Sequence, residues 1–303
     1  MAALTIILPI MGAGTAYVAV YLAAPGASTW PVDVGDDPAF ECSRLHAQAG
    51  GRLSWGVCRP DLRNEIRPGD VVVFVAADRL RDRRPARYRL AGWGTAERLV
   101  SQVEVWQRED LAVFRKYRNL LIRPSADGNE FVHCETQAPA HPDWLWRLAR
   151  RSPGAPRKSR WEAAGETRVS AAGMVKVGGR NERLAPNYVL FSAEADGTIV
   201  LADPPVVAMA SVSGEPETWS DSAFATDLQK LLLGEASSRG LRTRNRQQPH
   251  RHLRLSANAD AVTERLGALI KEHKIAPRKP LGDIQQQDAP QGPAPRSCSA
   301  VCS

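Results

Sequence analysis

The sequence predicts an α+β protein in which a mixed or barrel-like β-sheet is surrounded by helices. Three observations carry that expectation. Residues 71–76 (VVVFVA) are an unbroken, mostly β-branched apolar run of the length expected for a strand buried on both faces. Short apolar runs recur at 168–177, 187–193 and 198–203, divided by turn-forming residues. Helical periodicity is confined to a few segments, most clearly 256–273. A chain of 303 residues can bury a sizeable core. It divides into an N-terminal extension at 1–15, a single α+β domain at 16–255, a C-terminal helix at 256–275 and a disordered tail at 276–303.

Residues 2–24 carry no charge, and about 20 apolar residues suffice to span a bilayer. Pro9, Gly12 and Gly14 interrupt the run, and no Lys or Arg precedes it as in a signal peptide. Within it, 16–23 (AYVAVYLA) is rich in β-branched and aromatic residues and stops at Pro25-Gly26. That is the pattern of a core strand. A membrane-tethering segment is the alternative, but no stable membrane association is expected. Five cysteines, Cys42, Cys58, Cys134, Cys298 and Cys302, are scattered without a CxxC pair. They fit neither a disulfide framework nor a zinc site, so a reducing cytoplasm is expected.

Residues 29–51 read as loop, and Cys42 and His46 within them as packing and surface groups rather than ligands. Pro60 and Asp61 suit the first turn of a short helix, Leu62 and Ile66 share its apolar face, and Pro68-Gly69 stops it. Asp70 leads into the 71–76 strand. After a polar connection at 78–87 with five arginines, a second strand runs over 88–100. Alternation puts Tyr88, Leu90, Gly92 and Gly94 on one of its faces and Ala91, Trp93 and Thr95 on the other. Glycine inside a strand marks a bulge or a close approach by a ligand or another backbone. Trp93 then either projects from a bare, bendable strand or fills the core.

Residues 102–117 read as helical or mixed, 119–122 as a short strand, 125–129 as a turn, and 141–148 as a helix bearing Trp144 and Trp146. Residues 147–160 hold six basic and no acidic residues, with Pro153 and Pro156, and form either a linker or a basic loop. A hairpin turn at Asp196-Gly197 is expected to join the strands at 187–193 and 198–203. A further strand is expected at 206–212 and a helix at 221–233. The last helix, 256–273, takes Ser256 as its cap and Val262, Leu266, Leu269 and Ile270 as its apolar face.

Charge narrows the partner. There are 40 Lys and Arg against 33 acids, a net charge of +7 and a pI near 9.4. Arginine dominates the basic set, and its planar fork suits phosphate and stacks on bases. A compositional bias toward Arg, Ala and Gly is the competing explanation. Residues 239–255 (RGLRTRNRQQPHRHLRL) hold six arginines and two histidines and no acid. His250 and His252 fall on one side of an extended chain, beside Gln248. A His-x-His pair can bind a metal, but no carboxylate or thiolate lies near in sequence, so anion or base contact fits better. No motif implies a cofactor.

Four blocks, SWGVCRPDLR (54–63), PGDVVVFVA (68–76), YRLAGWGT (88–95) and NRQQPHRHLR (245–254), together resemble the nucleotide-modification-associated domains, the second type especially. The GD-plus-strand and LAGWG blocks are also similar to EVE and other PUA-like domains. The resemblance implies a PUA/EVE-like barrel and the binding or processing of nucleic acid that carries modified bases, modified DNA above all, or of a nucleotide. It runs loosely over residues 16–255, a chain much longer than a minimal PUA-like domain.

The residues assigned to such a site are Trp55, Cys58, Arg59, Asp70, Trp93, Asn245, Gln248, His250, His252 and Arg254. Trp55 and Trp93 are the pocket walls, since stacking on an aromatic face is worth about 1–3 kcal/mol per base. Asp70, Gln248 and His250 are the polar readers, and the arginines of 78–89 and 239–254 hold phosphates. The alternative is an enzyme acting on nucleotides or bases, with Cys58 as nucleophile or His250 as general base. If 54–95 and 245–254 are two halves of one site, they should meet in the fold.

Overall fold

Val71 to Val75 are each at most 2% exposed, because their strand has neighbours on both edges and packing on both faces. The computed structural model describes residues 14–22, 53–78, 86–117, 119–134, 143–149, 158–162, 168–193, 197–201, 205–210, 253–272 and 274. In chain order these form β1 (Thr15–Leu22), β2 (Ser54–Trp55), helix α1 (Pro60–Arg63), β3 (Val71–Asp78), β4 (Ala86–Val100), α2 (Gln102–Gln107) and a 3-10 helix (Glu109–Lys116). Next come β5 (Ile122–Pro124), β6 (Glu130–His133), α3 (Trp144–Leu148), α4 (Lys158–Glu162), β7 (Arg168–Ser170), β8 (Met174–Val177) and β9 (Arg180–Arg183). β10 (Tyr188–Phe191), β11 (Thr198–Val200), β12 (Val206–Ala210), β13 (Leu253–Asn258) and α5 (Ala259–Glu272) follow. Several expectations lie outside the described residues: the extension up to residue 13, the loop with Cys42 and His46, the helix at 221–233 and the tail.

The fold is α+β. Its main sheet has eight strands in the order β13-β1-β3-β4-β10-β2, with β11 and β12 also paired to β4. β1 and β3 run parallel, from Ala16 opposite Val71 to Leu22 opposite Ala77. The other pairs are antiparallel. Among the described residues this mixed sheet does not close into a barrel. A second sheet, β5-β6-β7, and the β8-β9 hairpin lie beside it in the chain. The uncharged N-terminal run thus supplies a core strand, and no helix among the described residues is long and apolar enough to cross a membrane.

Alternation along β3 divides the packing. Val72 and Phe74 join Tyr17 and Ala19 of β1, Trp55, Leu62, Ile66, Val189 and Phe191 in one core. Leu62 docks there from α1, and Ile66 joins the same core from the turn beyond the helix, which ends at Arg63 and not at Pro68-Gly69 as expected; Ile66 N donates to Leu62 O at 3.2 Å. β10 is buried on both faces: Val189 and Phe191 point into that core, while Tyr188 and Leu190 enter another with Val100, Phe114 and Tyr117. Val57, Cys58, Phe131, Trp144, Trp161, Val169, Val175 and Val177 build a third. It joins the small sheet, the β8-β9 hairpin and two short helices.

β4 organises the other strands. β3 lines one edge, while β10, β11 and β12 lie end to end along the other, opposite 96–100, 92–94 and 86–89 respectively. The hairpin expected at Asp196-Gly197 is therefore not formed: β10 and β11 both pair with β4 instead of with each other. Thr95 shows why, since its carbonyl accepts from Ser192 N at 2.9 Å and its N–H donates to Gly197 O at 2.6 Å. The chain leaves β4 and returns opposite the same residue. The long-range partner, β4, thus decides what β10 and β11 pair with.

Two further boundaries differ from expectation. The final helix begins at Ala259, not at Ser256: Asn258 Oδ1 accepts from Ala261 N at 2.8 Å, and Ser256 belongs to β13. Pairing with β1 extends the strand into what sequence alone reads as helix. Val262, Leu266 and Leu269 are buried as expected. The run at 168–177 is two strands, β7 and β8, separated by a turn in which Gly173 has φ +72°.

Candidate functional site

The PGD turn before β3 ties three strands together. Asp70 is 6% exposed, and its two carboxylate oxygens accept from Thr15 N at 2.7 Å and Arg67 N at 2.8 Å. Its main-chain carbonyl accepts from Ala96 N at 2.7 Å, and Gly69 N donates to Ala96 O at 2.8 Å. A side chain on Gly14 would strike the Gly69 carbonyl, so β1 passes close against the turn. Both oxygens of Asp70 thus serve backbone N–H groups at the start of the sheet, which is the work of a corner clamp.

Trp55 and Trp93 are each 1% exposed. Trp55 meets Phe74 edge-on at 5.6 Å between centroids, and Phe74 meets Phe191 in the same way at 5.6 Å. Trp93 lies between Val73 of β3 and Ile199 of β11 in register. The indole N–H of each is enclosed without a hydrogen-bond partner among the described residues. Neither ring offers a face to solvent. The glycines beside Trp93 do mark both a bulge and a close approach. The β3-β4 register shifts where Phe74 faces Gly92 and Val75 faces Leu90. A Cβ on Gly92, whose φ is +156°, would meet the Ile199 carbonyl, and one on Gly94 would come within 2.7 Å of the Phe191 ring. A neighbouring strand and a core phenylalanine make the approaches.

Cys58 is a free, buried thiol in the third core. Arg59 adopts a left-handed conformation, φ 53° and ψ 53°, immediately before α1, and pairs with Asp61 at 3.3 Å. Cys58, the nucleophile of the enzyme alternative, and Asp70, a polar reader of the binding site, occupy different surroundings. Cys58 packs with Val57 and Trp144, while Asp70 holds the β1-β3 corner.

Asn245, Gln248, His250 and His252 lie outside the described residues. Arg254 is placed by its backbone alone, on β13 opposite Tyr17. The second stretch therefore reaches the same sheet as the first through its last residues. β1 stands between β13 and β3 in the strand order.

Between the cores runs a layer of buried polar groups that the sequence does not announce. Arg63, 0% exposed, donates through its guanidinium to the carbonyls of Cys58 at 2.9 Å, Val57 at 3.1 Å and Arg147 at 3.1 Å, and also to that of Asn187. Arg147 pairs with Asp143 at 2.9 Å, and Lys158 reaches the other Asp143 oxygen at 3.3 Å. Burial pushes the Asp143 carboxyl up, but Arg147 and Lys158 together hold it below the ordinary carboxylate range. Nearby, the Tyr188 hydroxyl lies 2.8 Å from Asn119 Oδ1 and 3.0 Å from Ser54 Oγ. Gln102 donates to Gly56 O at 2.9 Å and accepts from Leu121 N at 2.6 Å. Part of the arginine excess is thus internal and satisfied by carbonyl oxygens.

No protein-family model, curated protein or solved structure matches the chain. Among the described residues no group of three or more His, Cys, Asp or Glu is placed to hold a metal ion.

Two surface features have no counterpart in the residues assigned from sequence. One is the β8-β9 hairpin, closed by Gly178 and Gly179 with φ +57° and +80°. The Gly-Gly pair between short strand runs is a recognisable signal for that turn. The other is a groove of about 570 Å³ at its foot, lined by Ser101, Glu104, Gln107, Gly173, Arg183 and Pro186 among others.

Proposed function

We propose that the chain binds nucleic acid and discriminates for a modified base, with arginine side chains holding the phosphate backbone. The observation that supports this reading is charge. The chain carries +7 overall, and although Arg63 and Arg147 are internal, exposed cations remain on several described elements, among them Arg123, Arg160, Lys176, Arg180 and Arg183. The acid-poor stretch at 239–255 adds six more arginines. Trp55 and Trp93 are enclosed, so the reading rests on the arginines and not on a preformed aromatic slot between those two rings. Backbone contact of this kind makes affinity fall steeply with salt, by a log–log slope of about −0.9 per phosphate on duplex and about −0.7 on single strands.

The test is fluorescence anisotropy of the purified chain with labelled oligonucleotides, unmodified or carrying a modified cytosine or adenine, as duplex and single strand, at two salt concentrations. Tighter binding to a modified strand with a clear salt slope is expected. Equal binding to all strands removes the modified-base part of the reading. Absence of binding at low salt removes the nucleic-acid part.

A further inference from the structure

The β8-β9 hairpin concentrates positive charge on a narrow two-stranded ribbon. Register fixes its faces: Met174 lies opposite Arg183, Val175 opposite Glu182, Lys176 opposite Asn181 and Val177 opposite Arg180. Val175 and Val177 are 2% and 3% exposed and pack into the third core, so Met174, Lys176, Asn181 and Arg183 form the outer face. Lys176, Arg180, Asn181 and Arg183 are all exposed. Lys176 and Arg183 are diagonal neighbours across the strands, a separation of about 7–8 Å. That is comparable to the spacing of successive phosphates on an extended strand. Two cations held this close repel one another, and an anion between them removes that cost. The hairpin's one acid, Glu182, points to the opposite face, which it shares by register with Arg180 next to the turn.

The groove at the foot of the ribbon adds a place for the rest of a nucleotide. Its volume of about 570 Å³ is within the range of small-ligand sites, and Arg183 belongs to both features. Glu104 also lines it, but its carboxylate accepts from Ser101 N at 2.7 Å as half of a capping box. A carboxylate in the floor disfavours phosphate there. The phosphates therefore belong on the outer face of the ribbon, and the sugar and base over the groove.

We infer that the β8-β9 hairpin, through Lys176 and Arg183 on its outer face and the exposed Arg180 at its turn end, is a docking edge for the phosphodiester backbone of a nucleic-acid strand, with the adjoining groove receiving a nucleotide. This rests on the nucleic-acid reading above and assigns it a surface that lies outside both arginine-rich stretches.

The test compares two triple variants of the full chain that lose equal charge. One is Lys176→Gln/Arg180→Gln/Arg183→Gln. The other is Arg67→Gln/Arg123→Gln/Arg160→Gln, three exposed cations on other elements. The probes are a thymidine 20-mer and a duplex of the same length, titrated across a salt series, with circular dichroism to verify that both variants fold. The expected result is a salt slope shallower by about 2–3 on duplex for the hairpin variant and a smaller change for the comparator. Equal changes in the two variants overturn the inference, since net charge alone then accounts for them. An unchanged slope with new self-association in sedimentation also overturns it, because the cations then serve to keep an edge strand from pairing with other chains. If the unaltered chain binds neither probe, the nucleic-acid reading fails as well; if it binds and only the hairpin variant is without effect, that reading stands and this one falls.

Discussion

Replacing Arg63 with methionine tests whether a buried guanidinium holds this fold together. Arg63 is 0% exposed and donates to main-chain carbonyls of residues 57, 58, 147 and 187. It thereby joins the approach to α1, the end of α3 and the entry to β10. Methionine fills similar volume but donates nothing. Each bond lost costs up to about 1–3 kcal/mol, and less where the carbonyl keeps another donor, as Arg147 O keeps Asn187 Nδ2 at 3.1 Å and Val57 O keeps Arg147 Nη1 at 3.5 Å. Relief of the guanidinium's own desolvation offsets part of that sum. The net expectation is a loss of about 3–5 kcal/mol, the range seen when one partner of a buried charged contact is removed. In a domain of this size that lowers the melting temperature by roughly 6–20 °C. Arg63→Lys keeps the charge but lacks the planar fork, so it recovers less than half of the loss. Urea unfolding followed by tryptophan fluorescence and far-ultraviolet circular dichroism measures both variants. A stability for Arg63→Met within about 1 kcal/mol of the parent would show that water or relaxed backbone satisfies these carbonyls without Arg63, and the reasoning would be wrong.

Two further outcomes follow from the same geometry. Gly92→Ala combines an unfavourable φ with a collision against the Ile199 carbonyl, whereas Gly69, with φ +90°, has open space where a Cβ would be built. Gly92→Ala should cost about 2–4 kcal/mol and Gly69→Ala only about 1; equal costs in urea unfolding would refute the close approach. Asp143 has its folded pKa lowered by Arg147 and Lys158 against the effect of burial. Its contribution is therefore complete above the unfolded value of about 3.9 and is lost as the pH falls below it through the lowered folded value. Asp143→Asn should destabilise the protein near neutrality and remove that part of the acid dependence. Parallel stability–pH curves for the two proteins below pH 5 would refute it.

How much of this was readable without the fold depends on how local the cause is. The 71–76 run, the short helix carrying Leu62, the glycine approach in β4 and the apolar face of α5 all follow from residue spacing and side-chain shape. Strands and faces appear as predicted where a period of two or of 3.6 runs unbroken along the backbone; in β4 the bulge breaks it, so Leu90 pairs with Val75 on the face of Val73 and Trp93, while Ala91 packs with Val72 and Phe74. The site was less readable. Asp70 looks the same as a base reader or as a turn clamp until its two N–H partners are known. Tryptophans flanked by glycine read equally well as pocket or as core.

What the sequence by itself determined is the class of the protein, the strands that are buried on both faces and the basic character of its surface. Only the tertiary structure decided that β10, β11 and β12 share one edge of β4. It also decided that Trp55 and Trp93 face inward, and that Arg63 serves carbonyls as far away in the chain as Asn187. These outcomes depend on partners distant in sequence. Nothing in the local pattern around residue 63 distinguishes an arginine that will meet a phosphate from one that will meet a carbonyl oxygen.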